Sequence, residues 1–147
     1  MNVKTLPLST SDLLFVVELH INSQKGSLLS LLGAAFLMEM YSELRLDEDF
    51  IGYIALREDN KVGFITAGKS LGGKTISLLY KRPKTAIQII AKVIKNPIII
   101  WHILQTVRYV IKNKGICQAE YELLSIGVIE DQRGKGCLLY TSDAADE

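Results

Sequence analysis

Two cysteines, Cys117 and Cys137, are all the thiol this chain has, and neither a CxxC pair nor a histidine cluster accompanies them. That poverty suggests neither a disulfide framework nor a zinc site, so no metal is expected and a reducing, cytoplasmic setting fits. The amino terminus, Met1 to Thr10, lacks the basic start and unbroken apolar core of a secretory signal. A long apolar run is missing too: the richest stretch, Ile87 to Ile111, is broken by Lys92, Lys95 and Pro97, so no transmembrane segment is expected. Acidic residues are absent from Asn60 to Ala119, while Lys61, Lys69, Lys74, Lys81, Arg82, Lys84, Lys92, Lys95, Arg108, Lys112 and Lys114 all fall there. The formal charge of the whole chain is nevertheless only +1, and no nucleic-acid partner is expected.

What is present is enough for one globular domain: 147 residues, 48% of them hydrophobic. Val3 to Leu8 reads as a short extended segment ending at Pro7, after which Ser9 or Thr10 caps a helix with Asp12 in its first turn. Leu13, Val16, Val17 and His20 recur at helical spacing, with Leu14, Val17 and Ile21 beside them, and Gly26 and Ser27 end the pattern. A second helix carries Leu37, Met40, Tyr41 and Leu44 on one stripe and exits at Asp47 to Asp49. Phe50 to Arg57 and Val62 to Ala67 read as a hairpin about the polar turn Glu58 to Asn60. Ser70 to Lys114, rich in lysine and isoleucine with breakers at Pro83 and Pro97, reads as two or three short helices. Its lysines are expected in solvent and its isoleucines over the sheet. His20, His102 and Trp101 sit in apolar helical contexts and read as packing residues, Trp101 as core.

The clearest strand is Glu120 to Ile129, with Glu122, Leu124, Ile126 and Val128 on one face. It runs straight into Glu130-Asp131-Gln132-Arg133-Gly134-Lys135-Gly136. Glycines there let backbone approach a ligand, amides ahead of a helix amino terminus cradle an anion, and Arg133 and Lys135 add positive charge. This strand and loop, with the hairpin and the two leading helices, resemble the GNAT superfamily of N-acyltransferases, whose signature R/Q-x-x-G-x-G/A is matched by Arg133 and Gly136 but not by Leu138. The resemblance spans Val3 to Gly136 apart from the basic insert at about 70–115. It implies an α/β fold, α+β by a looser label, with a mixed, mostly antiparallel sheet flanked by helices. It also implies acetyl-CoA or another acyl-CoA as co-substrate, a small-molecule or protein amine as acceptor, and direct attack of the amine on the thioester. By the same resemblance, backbone groups of Ile126, Gly127 and Val128 hold pantetheine, Arg133, Gly134, Lys135 and Gly136 hold the pyrophosphate, and Glu122 takes a proton from the incoming ammonium. A base is required because only the neutral amine is nucleophilic.

Residues 137–147, Cys-Leu-Leu-Tyr-Thr-Ser-Asp-Ala-Ala-Asp-Glu, read as a translated transposase-type sequencing adapter rather than natural protein. On that reading the natural chain is visible only to Gly136, the mismatch at Leu138 belongs to the adapter, and the given chain is expected to be inactive.

Two further patterns compete. Gly68-Lys69-Ser70-Leu71-Gly72-Gly73-Lys74-Thr75 satisfies G-x-x-x-x-G-K-[ST], the phosphate-binding P-loop, and follows a strand. Against it, Lys81-Arg82-Pro83 interrupts the following helix early, and the preceding strand is one arm of a hairpin, whereas P-loop strands are parallel. The basic, isoleucine-rich insert is the other: it would serve as a membrane-surface or partner-binding module if its apolar side chains stayed continuously exposed opposite its lysines.

Overall fold

A computed structural model describes residues 3–112 and 120–134. Lys135, Gly136 and the adapter-like residues 137–147 lie outside the described residues. Strand β1 (Val3–Pro7) is followed by a 3-10 turn, then helices α1 (Leu13–Ser23), α2 (Leu28–Leu32) and α3 (Ala34–Leu44). The hairpin β2 (Ile51–Arg57) and β3 (Asn60–Gly68) comes next, then α4 (Leu71–Lys81), α5 (Pro83–Lys95) and α6 (Pro97–Lys112), and finally β4 (Glu122–Val128).

Local chemistry explains the boundaries. Asp12 accepts hydrogen bonds from the backbone N–H and the hydroxyl of Ser9, which fixes the chain where it enters α1. Lys61 closes on the same carboxylate at 2.6 Å. Burial opposes ionisation of Asp12, yet the bonds from Lys61 and Ser9 outweigh it and hold the carboxyl below its ordinary range. Gly33, with φ of +95°, lets the chain turn between α2 and α3, a conformation a side chain would strain. Pro83 and Pro97 each open a helix, where a missing N–H costs nothing.

The four strands lie in the order β1-β2-β3-β4 and every ladder is antiparallel, with Ile54 opposite Phe64 and Phe64 opposite Gly127. The expected antiparallel succession of β2, β3 and β4 holds although α4, α5 and α6 intervene between β3 and β4. Helix α1 lies against β3 and β4, and α3 reaches the sheet through Tyr41, whose ring meets Phe64 edge-on at 6.4 Å. The core joins Val16, Val17, Leu37, Met40, Tyr41 and Leu44 to Ile54 and Phe64. The stripe of α3 and the Leu13, Val16, Val17 and His20 stripe of α1 are therefore faces that pack, whereas Leu14, expected beside Val17 and Ile21, is exposed and Leu19 is buried instead.

Two expectations fail on the insertion. Its isoleucines do not cover the sheet: Ile87, Ile90, Ile94 and Ile98 are all exposed, and so is Trp101, which is not core. The physical reason is that α1 and α3 already occupy the face of Ile54 and Phe64. Of α4 and α5, Leu71, Leu78 and Ile89 suffice to seat them at the margin of that core.

Candidate cofactor-binding site

Strand β4, with β1, is one of the two outer strands among the described residues, and its end is where the sequence places a cofactor cradle. The Ile129 N–H donates to the Val62 carbonyl at 2.9 Å, which sets the phase of the ladder. Alternation then turns the backbone groups of Gly127 toward β3 and those of Ile126 and Val128 outward. The outward carbonyls already meet side chains: Gln24 Nε2 donates to Ile126 at 3.4 Å, and Arg133 Nε donates to Val128 at 3.1 Å.

Gly127, expected among the cofactor-holding backbone groups, is thus turned away from the outer edge. Its lack of a side chain has a packing cause. A Cβ there would stand 2.8 Å from the Phe64 ring, 3.2 Å from Ser23 Oγ and 3.3 Å from Leu19, so glycine is what lets α1 close on the sheet.

After β4 the chain makes a 3-10 turn over Glu130–Gln132, and Gly134 follows with φ of +72°. Among the described residues a Cβ on Gly134 would meet nothing within 4 Å, so the turn is open on that side with respect to them. Arg57, from the end of β2, donates to Gln132 Oε1 at 2.5 Å, which brings its guanidinium to the turn that precedes Arg133. Sequence spacing gave no hint of Arg57, because 75 residues separate it from Gln132 and only the antiparallel return of the strands joins them. Two arginines, outward strand groups and an open glycine turn fit an extended amide-bearing chain with an anionic end. Lys135 and Gly136, the rest of the expected cradle, lie outside the described residues.

Glu122 stands exposed at the opposite end of β4, in register with Gly68. Along the strand it is about 20 Å from Val128, at about 3.3 Å per residue. Its neighbours Glu120 and Tyr121 are engaged by Lys69, at 2.5 Å from the carboxylate and 5.0 Å from the ring centre.

A buried polar cluster under β4 escaped sequence reasoning. His20 Nδ1 lies 2.7 Å from the Tyr41 hydroxyl and 3.1 Å from Ser125 Oγ, and Gln24 Nε2 donates to Ser125 Oγ at 2.7 Å. Burial alone lowers the His20 pKa from its ordinary value, so the ring is neutral near pH 7, and its Nε2 has no hydrogen-bond partner among the described residues. Burial likewise pushes the Tyr41 hydroxyl up to about 12, against the hydrogen bonds of Ser125 and Thr66. With His20 and Ser125 both buried, the pair ties α1 and α3 to the sheet rather than meeting a substrate. The only sequence signal was polar residues standing within apolar stripes.

The P-loop pattern is not built as a loop. β3 is antiparallel to both neighbours, Gly72 and Gly73 lie inside α4, and Thr75 Oγ1 donates to the Leu71 carbonyl within that helix. Lys74 is spent on Asp47 at 2.6 Å, with Asp49 at 3.8 Å. A helix leaves no nest of amides around a phosphate, which removes the physical basis of that reading.

Comparison with protein-family models, with curated proteins and with solved structures finds no match for this chain.

Proposed function

We propose that the chain is part of a GNAT-type N-acyltransferase that uses acetyl-CoA, or another acyl-CoA, to acylate a primary amine. The observation that carries this reading is the passage from an edge strand, through a 3-10 turn bonded by Arg57 at Gln132, to Arg133 and the turn at Gly134. Outward groups of Ile126 and Val128 would pair with the amides of a pantetheine arm as a neighbouring strand does. Arg133, released from the Val128 carbonyl, and Arg57, held at Gln132, would neutralise the pyrophosphate, and the open side of Gly134 would admit it. The co-substrate supplies an activated acyl carbon. The arm would run back along β4 toward Glu122, whose exposed carboxylate would accept a proton from the ammonium, directly or through water.

The test is calorimetric titration with acetyl-CoA of two proteins: the given chain and a reading frame continued past Gly136 with natural sequence. We expect the longer protein to bind and its Gly134→Trp and Arg133→Ala variants to bind at least tenfold more weakly, on the order of 1.4 kcal/mol. Binding by the longer protein that neither substitution affects would refute this placement of the cofactor. A panel of amines assayed by thiol release would then identify the acceptor.

A further inference from the structure

The apolar surface that the core leaves outside is concentrated on α5 and α6. At about 100° per residue, Ile87, Ile90 and Ile94 fall within about 60° of one another, while Lys84, Gln88, Lys92 and Lys95 share a separate arc of about 80°. The third side of α5 is turned to the body of the protein. There the Thr85 hydroxyl donates to the Glu39 carboxylate and Ile89 packs on the core. On α6, Ile99 is buried, whereas Ile98, Ile100, Leu104 and Trp101 are exposed, Trp101 at 61%. Arg108 continues the stripe of Trp101 and Leu104 at helical spacing.

We propose that this two-helix wing docks on an anionic lipid surface, with its isoleucines and Trp101 in the boundary between headgroups and acyl chains and its cations against the lipid anions. The proposal does not rest on the acyltransferase reading. Charge complementarity selects the occupant. The helices carry no acidic residue, and Lys84, Lys95 and Arg108 make no ion pair among the described residues. A basic polar arc beside an exposed apolar stripe is the pattern of helices that lie in a membrane interface, and tryptophan favours that depth. A second copy of this chain would press two acid-free cationic faces together, which like-charge repulsion opposes.

Lying on the surface also fits the way the wing is tied down. No single described helix is long and apolar enough to cross a membrane, and the pair Pro83–Lys95 and Pro97–Thr106 is bent by 107°. Lys92 Nζ donates to the Leu32 carbonyl at 2.7 Å, so α5 is held to α2 as well as to α3. Crossing would break both ties and carry Lys84, Lys92 and Lys95 into hydrocarbon. Docking in the interface keeps them.

Trp101 is the only tryptophan, so its fluorescence reports the wing directly. The full chain is titrated with phosphatidylcholine vesicles that contain or lack phosphatidylglycerol. A blue shift with the anionic vesicles only is expected. Ile90→Glu with Ile94→Glu should abolish it while leaving the thermal unfolding transition in place, since both side chains are exposed. Lys84→Glu with Lys95→Glu should weaken it about tenfold or more, because each cation near an anionic surface is worth about fivefold in partition. Four results would overturn the proposal. They are the absence of a shift with anionic vesicles, an equal shift with neutral ones, a shift that follows protein concentration without lipid and marks a second copy, and quenching of Trp101 by lipids brominated at the bilayer centre.

Discussion

Helices α3 and α5 carry similar apolar stripes and meet opposite fates. In α3, Leu37, Met40, Tyr41 and Leu44 are all buried against α1 and the sheet. In α5, Ile87, Ile90 and Ile94 recur just as regularly and remain in solvent, Ile94 at 75%. Periodicity states that a helix has an apolar side; what covers that side depends on which partner reaches the sheet first. Here α1 and α3 take the face of Ile54 and Phe64, and the insertion is left to attach through Leu71, Leu78, Thr85 and Ile89.

The comparison breaks if the two helices respond alike to truncation. Leu37→Ala should lower unfolding free energy by about 2–5 kcal/mol, the usual cost of a cavity in a closed core. Ile94→Ala should change it by no more than about 0.5 kcal/mol, as at other exposed positions. Urea denaturation of both variants measures the contrast, and a large loss at Ile94 would mean that the wing is part of the core. Gly127→Val tests the other side of the same packing. Overfilling the contact of β4 with Phe64 and Leu19 should cost about 1–3 kcal/mol by forcing α1 outward.

A pH titration sharpens the contrast, because the packed half holds a buried histidine. The folded pKa of His20 lies below the ordinary 6.5, so the unfolded chain binds the proton more readily in that window. Stability contributed by neutral His20 is present above about pH 6.5 and declines as pH falls toward the folded value, with a slope of at most about 1.4 kcal/mol per unit. Asp12 acts in a separate, lower window: its folded pKa is depressed, so its contribution is present above 3.8 and is lost as pH falls through the folded value. Thermal unfolding between pH 5 and 7 should therefore slope in the parent and flatten in His20→Gln. An unchanged slope would place the titration elsewhere.

The hairpin, strand β4 and the main stripes of α1 and α3 were legible because each rests on local pattern: alternation in β4, a polar turn at Glu58 to Asn60, helical spacing from Leu37 to Leu44; the antiparallel place of β4 beside β3 was expected only from the family resemblance. The hidden features depend on residues far apart in the chain. Arg57 beside Gln132, and His20 with Tyr41 and Ser125, meet only once the sheet is assembled, and no spacing rule announces them. The P-loop pattern matched without a loop behind it for the converse reason. A regular expression records residue types, whereas Leu71 and Leu78 on the core draw Gly72 and Gly73 into a helix.

The smallest expected effect on global stability concerns the two ties that hold α5 to the packed half. Thr85 is buried and bonded to Glu39, whereas Lys92 is exposed and reaches only a carbonyl at the end of α2. Replacing the hydrogen-bonding groups, as Thr85→Val with Lys92→Met, removes two bonds of a kind each worth about 0.5–1.5 kcal/mol, with Lys92 at the lower end because water competes for it. If the wing opens as a unit of its own, that loss falls on its local equilibrium and leaves the global transition nearly in place. Amide hydrogen exchange should then speed up across α5 and the described part of α6 by about tenfold, while amides of α1, α3 and β3 keep their protection. Faster exchange throughout the core would instead make the wing and the packed half one cooperative unit, and the contrast between α3 and α5 would be one of exposure alone.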